Sequence, residues 1–347
     1  MILRKIKLNN FRNMTEKELI FTDNTNVLYG NNGVGKTNVI EAIGYLGLCK
    51  SFRNCQDKTL INLDSNHFYI KGDIVDDKDN LLELETSYNG EIKKKKINGI
   101  EILKVKDYIG KLKLVLFSGE DLNLIKGTPQ YKRSFLDQTL SQVSYQFLDS
   151  AIIYKKYINS KNALLKTDNI DMAYLSIINS EIEKHMHIIQ KNRKDFIEYI
   201  NLNINDIYGL LSSTEDVIQV QYKTNVNENT ILNNHFEMEK RKQISYFGTH
   251  RDDFIVKLNG QNIEEFGSQG QQRLSVICLK IMQLLFLKER TGTMPLLLLD
   301  DVFSEIDKEK VLKILDFIQN EKYQVIISTT EKIEELEKEN INFIQIQ

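Results

Sequence analysis

Proline is scarce in this sequence, with two in 347 residues, and the accompanying richness in Asn, Ile and Lys reflects genomic base composition rather than function. Cysteine is scarce too. Cys49, Cys55 and Cys278 form an odd set without C-x-x-C spacing, which argues against a disulfide or zinc framework and fits reduced thiols. The five histidines make no metal pattern; His185 and His187 stand two apart and fall on different helix faces. No apolar run approaches the roughly 20 residues of a membrane span, and the start shows no signal-peptide pattern. A cytoplasmic protein with no membrane partner is therefore expected. A net charge of -2 excludes a globally basic surface, so any nucleic-acid contact rests on a local patch.

What is present is an ordinary globular balance, 41% hydrophobic and 27% charged, with length for one large or two smaller domains. One stretch organises the rest: Gly30-Asn31-Asn32-Gly33-Val34-Gly35-Lys36-Thr37, which fits G-x-x-x-x-G-K-[ST]. Glycines here let backbone amides converge into an anion nest. Lys36 supplies a point charge for β- and γ-phosphate oxygens, and the Thr37 hydroxyl suits Mg²⁺. Asn26 to Tyr29 reads as a strand entering the loop, and Asn38 to Leu46 has apolar residues at helical spacing. A chance glycine-rich turn would lack that strand-loop-helix context, which puts a helix N-terminus at the phosphates. The motif predicts a site for ATP or GTP.

Along the chain, Met1 to Leu8 reads as an edge strand, and Glu18 to Phe21 as a second strand. From Phe68 to about Ile102 short alternations and the Asn89-Gly90 pair predict an appended antiparallel sheet. The run Lys93 to Lys96 is either a solvated hairpin strand or a contact to nucleic-acid phosphates. Leu112 to Phe117 is a strand, and Leu122 to Tyr208 is mostly helical without sustained heptads. Most of its basic residues, Lys126, Lys132, Arg133, Lys155, Lys156, Lys161, Lys166, Arg193 and Lys194, are expected on solvated faces, some meeting DNA. Phe254 to Leu258 is a strand followed by a hairpin signal at Asn259-Gly260. A helix from about Leu274 to Glu289 precedes the apolar strand Pro295 to Leu299. Ser304 to Asp307 is a capping box opening a helix to about Ile318, before a strand from Gln324 to Ser328.

Two further motifs matter beside a phosphate loop. The run Leu296-Leu297-Leu298-Leu299-Asp300-Asp301 is a buried-type strand delivering an acidic pair. Asp300 is the candidate Mg²⁺ ligand, and Asp301 the group that orients or deprotonates the attacking water. Ser268-Gln269-Gly270-Gln271-Gln272 opens a helix, offering a hydroxyl, free amides and a positive dipole to a second anion. The plain alternative is an N-capped helix with Ser268 as cap.

The serine-glycine helix start, followed by the acidic strand, looks like the signature motif of ABC-type ATPases. With KLNNFRN at Lys7 to Asn13, Lys50-Ser51-Phe52-Arg53, Gly119-Glu120-Asp121-Leu122 followed by Ile125-Lys126-Gly127, Lys132 to Asp137, and Gly248 to Asp253, the chain resembles the RecF family nearly end to end. These are bacterial recombination mediators related to SMC-type repair ATPases. Gly119 and Thr249 stand where the family's prolines are expected, and Ser134 interrupts its arginine run.

The resemblance implies an α/β fold: an ABC-type P-loop ATPase head, a mixed sheet with flanking helices and an appended antiparallel sheet, plus an inserted mainly helical lobe. The head would comprise residues 1–120 and 246–347, and the lobe 121–245. It implies ATP and Mg²⁺ as cofactors, an ATP-dependent homodimer on duplex and single-strand/double-strand junction DNA, and weak DNA-stimulated ATP hydrolysis. Loading of recombinase at gaps with RecO and RecR, and a part in SOS induction, follow the same resemblance. It carries catalytic roles to Lys36 and Asp301, Mg²⁺ to Thr37 and Asp300, and nucleotide contacts to Gly30 through Thr37 and to Arg12. Ser268, Gly270 and Gln271 would reach the partner copy's γ-phosphate, and Asp307 would lie in an inter-subunit loop. Thr329 or Thr330 stands where transporter ATPases carry histidine. With Asp301 one methylene shorter than the usual glutamate, slow hydrolysis is expected. A transporter ATPase subunit fits less well, given the appended sheet and FRN segment. A nuclease-linked ATPase would need a second carboxylate cluster.

Overall fold

The computed structural model describes residues 1–53, 55–227, 229–301, 313, 323–329 and 341–347. In chain order the first elements are β1 (Ile2–Phe11), β2 (Met14–Ile20), β3 (Thr25–Tyr29), α1 (Lys36–Leu48), β4 (Phe68–Val75), β5 (Leu81–Tyr88), β6 (Lys93–Ile97), β7 (Ile100–Glu101) and β8 (Leu114–Ser118). Next come α2 (Asn123–Lys126), α3 (Pro129–Val143), α4 (Tyr145–Leu164), α5 (Met172–Ser212), β9 (Ile218–Lys223), α6 (Phe236–Lys242), β10 (Asp253–Leu258), β11 (Gln261–Asn262) and α7 (Ile263–Phe266). The last are α8 (Gln269–Thr291), β12 (Leu296–Asp300), β13 (Val325–Thr329) and β14 (Ile341–Gln345). The capping box and helix expected from Ser304 to Ile318, with Asp307 and Thr330, lie outside the described residues.

The chain divides into two compact units, Met1–Leu122 with Leu210–Ser212 and Val276–Gln347, and Asn123–Gly209 with Ser213–Ser275. The first holds a parallel sheet in the order β14-β3-β13-β12-β8 and an antiparallel sheet in the order β2-β1-β4-β5-β6-β7. Helix α1 contributes Val39, Ile40, Ile43, Tyr45 and Leu46 to one core with Leu3, Ile6, Leu8 and Phe11 of β1, Ile70 of β4, Leu298 of β12 and Ile326 of β13. That shared core is why α1 is apolar nearly all round. Every residue of β12 is buried, the pattern of a strand covered on both faces.

The first strand is not an edge strand. β1 pairs with both β2 and β4, and β2 forms the edge with Thr15, Glu16, Glu18 and Ile20 exposed. The alternation that marks β1 reports its buried face, not its position in the sheet. Asn89-Gly90 does join two antiparallel strands, β5 and β6, and Asn259-Gly260 joins β10 and β11.

The second unit is not helical throughout. Beside α3, α4 and the long α5 it holds a sheet in the order β11-β10-β9. Arg193 of α5 anchors it, bonding Asp137 at 2.9 and 3.0 Å, Asp252 at 2.8 Å and the Thr249 carbonyl at 2.7 Å. The segment from Gly248 to Asp253 therefore belongs with the helices it bonds, and the compact units change over at 275/276 rather than 245/246. Strand β9 is an edge whose open groups are met by a helix. Asn201 donates to the Val220 carbonyl at 2.9 Å and accepts from its N–H at 2.7 Å, while Asn205 accepts from Ile218 N at 2.8 Å. No helix among the described residues is long and apolar enough to cross a membrane.

Candidate nucleotide-binding site

Parallel strands end at a common edge, where loops can converge on a ligand. Here register puts Tyr29 of β3 beside Thr329 of β13, and Asp300 of β12 beside Ser328 and Ser118. The glycine-rich loop leaves β3 at that edge. Gly30 has φ +150° and a Cβ there would lie 2.5 Å from the Ile346 carbonyl oxygen, so only glycine fits. Gly35 caps α1 in the left-handed region at φ 107° with no side-chain cap bond, leaving the first amides of α1 for a ligand. The loop wraps its own lysine: Lys36 Nζ donates to the Gly30 and Asn31 carbonyls, both at 2.8 Å. Asn31, Asn32 and Gly33 are exposed, and Val34 and Thr37 half-buried.

The acidic pair reaches this loop. Asp300 is buried at the end of β12, accepts from the Ser328 hydroxyl at 2.7 Å, and has the Thr37 side chain close enough to favour its charged form. Burial raises its pKa; the bond from Ser328, the nearby Thr37 side chain and the charge of Arg53 act against that rise, while the charge of Asp301 adds to it. A hydroxyl and a carboxylate side by side are hard oxygen donors suited to Mg²⁺. Asp301 is exposed, adopts φ +53°, and donates its backbone N–H to Ser328 Oγ at 3.1 Å.

Arg12 lies at the β1–β2 turn with φ +54°. Its Nε and Nη2 donate to the two oxygens of Glu41 at 2.9 and 2.8 Å, and its Nη1 to the Thr59 carbonyl at 3.1 Å. A bidentate ion pair of this kind is strong and orienting, and the Glu41 bond raises the Arg12 pKa further. Its neighbour Asn13 donates to the Val34 carbonyl of the loop at 3.3 Å. Arg53 donates to Asn38 Oδ1 at 3.2 Å and lies 3.6 Å from Glu41. Sequence reasoning assigned no role to Glu41, Arg53, Asn13 or Ser328. For Glu41 a signal existed: it is the single charge in the apolar run Val39 to Leu46.

In the second unit, Ser268 precedes α8 and forms a reciprocal cap. Its hydroxyl accepts from Gln271 N at 3.2 Å, and Gln271 Oε1 accepts from Ser268 N at 2.9 Å. The N-capping alternative therefore holds, and because the Ser268 oxygen is the acceptor in that cap, its hydroxyl proton is not used by it. Gly270 is exposed, and a Cβ there would meet nothing within 4 Å, so this chain's own packing does not call for glycine.

The basic candidates divide. Lys93 donates to the Cys49 carbonyl at 2.8 Å, pairs with Asp57 at 2.7 Å and lies 4.8 Å over the Tyr45 ring, while Lys95 is buried. The lysine run is thus only half on a solvated face. Of the basic residues between α2 and α5, Lys126, Lys155, Lys156, Lys166 and Lys194 are exposed, while Lys132, Lys161 and Arg193 are buried.

A family model described as RecF/RecN/SMC N terminal domain matches residues 2–345. The DNA replication and repair protein RecF of Macrococcus caseolyticus (strain JCSC5402) is 34% identical over 357 residues, spanning 99% of this chain and 96% of that protein. A solved structure of the recombination mediator protein RecF-ATP in the RecFOR pathway superposes with a TM-score of 0.90 at 29% identity, covering 99% of this chain and 95% of that one. The Smc head domain of Pyrococcus furiosus, at 15% identity and a TM-score of 0.58 over 99% of this chain and 94% of that one, shares the fold. The α/β architecture is that of an ABC-type ATPase head carrying an inserted lobe.

Proposed function

Since the chain belongs to the RecF family, we propose that it is a cytoplasmic, ATP-dependent DNA-binding protein of recombinational repair and replication restart. The observation that carries this reading is the placement, at one edge of the parallel sheet, of the glycine-rich loop that leaves β3 and the buried Asp300 that ends β12. In this reading Gly30 through Thr37 cradle the phosphates of ATP, Lys36 meets the β- and γ-oxygens, and Arg12 adds a cation near them. Thr37 and Asp300 hold Mg²⁺, which neutralises charge across the phosphates when bound.

Hydrolysis consumes one water per ATP. Asp301 orients that water and takes its proton, the new bond forms to the γ-phosphorus, and the bond to the bridging oxygen breaks, giving ADP and phosphate. A carboxylate one methylene shorter than glutamate, with Thr329 at the end of β13, supports slow turnover that DNA stimulates. Ser268, Gly270 and Gln271 serve the partner copy's ATP: the hydroxyl proton of Ser268 and the first amides of α8 point to an anion supplied by another chain. ATP then joins two copies into a clamp on DNA. Recombinase loading at gaps together with RecO and RecR, and a contribution to SOS induction, follow from family membership.

Sedimentation of the wild type and Lys36→Ala, with and without ATP and a gapped duplex, tests the reading. ATP is expected to drive the wild type to a dimer on DNA and to leave Lys36→Ala monomeric. Ser268→Arg should also block dimerisation, because it fills the space for the partner's phosphate. A wild type that stays monomeric and DNA-free with ATP refutes the clamp.

A further inference from the structure

Five side chains close a ring beside the glycine-rich loop. Arg12 pairs with Glu41 at 2.8 and 2.9 Å, Glu41 faces Arg53 at 3.6 Å, and Arg53 donates to Asn38 at 3.2 Å. Asn38 donates to Asn13 Oδ1 at 2.8 Å, and Asn13 is joined to Arg12 by the peptide bond. Asn13 also donates to the Val34 carbonyl, so the ring is fastened to the loop itself. Its centre is Glu41, at 0% exposure, on the α1 face one turn beyond Lys36 and Thr37. Glu41 also accepts from the Ser51 hydroxyl, whose oxygen in turn accepts the Arg53 backbone N–H at 3.0 Å.

We infer that Glu41 is the positioning residue that holds Arg12 and Arg53 as two cationic arms beside the phosphate loop. The charges support this. A fully buried carboxylate needs a partner, and removing it would strand the cations it orders. One carboxylate between two guanidiniums leaves a surplus positive charge in the ring, and Arg53 is close enough to act electrostatically on Asp300. Asp300 ends its strand at the same sheet edge as the glycine-rich loop and is the Mg²⁺ ligand of the ATP reading, so the surplus charge stands at the end of the site where the terminal phosphate of a nucleoside triphosphate would sit. The arms therefore favour the triphosphate over the diphosphate. Glu41 touches no phosphate itself; it acts through the two arginines. This inference rests on the ATP reading above.

The test is equilibrium binding of mant-ATP and mant-ADP, with Mg²⁺, to the full chain as wild type, Glu41→Gln and Arg53→Gln. Ile74→Ala, a truncation in the buried core of β4, serves as a stability control. Glu41→Gln keeps the shape and removes the charge. It is expected to weaken mant-ATP about tenfold, equivalent to about 1.4 kcal/mol, and mant-ADP less than about threefold. Arg53→Gln, a change at an exposed side chain, should show the same triphosphate-selective loss even if Glu41→Gln folds poorly. Equal loss for both nucleotides in Glu41→Gln and Arg53→Gln, or a loss no larger than that of Ile74→Ala at matched melting temperature, makes the ring a structural tie only and overturns the inference. A wild type that binds neither nucleotide refutes the ATP reading itself, an outcome separate from the first.

Discussion

The Ser328 hydroxyl donates to Asp300 Oδ1 at 2.7 Å, tying the end of β13 to the acidic end of β12. The same oxygen accepts the Asp301 N–H at 3.1 Å, so one serine orients both acidic residues. Ser328→Ala leaves a buried carboxylate oxygen without that donor. The expected cost is about 1–3 kcal/mol of stability, the range for an unsatisfied buried polar group. Loss of orientation at Asp301 is expected to lower ATP turnover about tenfold. Urea unfolding and steady-state phosphate release measure the two. Unchanged turnover at reduced stability would show that Ser328 braces the sheet without aiming Asp301.

Gly30 and Gly33 both adopt positive φ, at 150° and 84°, yet their surroundings differ. A Cβ on Gly30 would sit 2.5 Å from the Ile346 carbonyl oxygen, whereas one on Gly33 would meet nothing within 4 Å. Gly33→Ala should therefore cost only left-handed strain, about 1–2 kcal/mol. Gly30→Ala adds a clash with backbone that is itself held by the Ile346 N–H bond to the Tyr29 carbonyl at 2.9 Å. It should unfold at clearly lower urea than Gly33→Ala and lose ATP binding. The reverse order would show that the loop relaxes away from Ile346 at little cost.

The parts of this molecule legible in the sequence are those written in consecutive residues. The loop from Gly30 to Thr37, the acidic end of β12 and the Ser268 helix start each carry their chemistry within a few positions, so spacing alone locates them. The ring around Glu41 does not: residues 12, 13, 38, 41 and 53 meet only because the β1–β2 turn and the segment after α1 fold onto one helix. Ser328 lies 27 residues from Asp301 and has no spacing signal. The interior place of β1 depends on β4, a strand more than fifty residues away, which alternation within β1 cannot report. In the sheet of the second unit, β10 and its hairpin with β11 are legible, while β9 is not, since its pairing partner β10 lies beyond α6.

His250 is held neutral. Its Nε2 faces the Ser245 carbonyl at 3.1 Å, which can only accept, so Nε2 carries the proton and Nδ1 accepts from the Tyr154 hydroxyl at 2.8 Å. Burial lowers its pKa from 6.5 to about 4, with the charges of Arg251 and Arg133 adding to the drop and the Ser245 bond and Glu239 opposing it. A lowered pKa in the folded state means that unfolding takes up a proton between about pH 6.5 and 4. Stability from this residue is full above 6.5 and declines as pH falls toward 4. Melting temperatures at pH 7 and pH 4.5 should therefore diverge more in the wild type than in His250→Gln. Equal pH sensitivity in the two proteins would assign the acid loss to other groups.

Asn201 does for β9 what another strand would do. Its amide oxygen takes the Val220 N–H at 2.7 Å and its amide nitrogen gives to the Val220 carbonyl at 2.9 Å, closing an edge that otherwise presents free backbone groups. Asn201→Leu keeps the size of the side chain and deletes both bonds. Two backbone groups then lose their partner, and because this edge is part-buried the cost should reach about 1–3 kcal/mol. The exposed edge also becomes a template for pairing with a second chain, so concentration-dependent association should appear in the variant by light scattering without ATP. Asn201→Asp retains the acceptor for the Val220 N–H and loses the donor, so it should fall between the two in stability. If Asn201→Leu stays monomeric and as stable as the wild type, β9 is protected by burial against α5 and the asparagine is incidental.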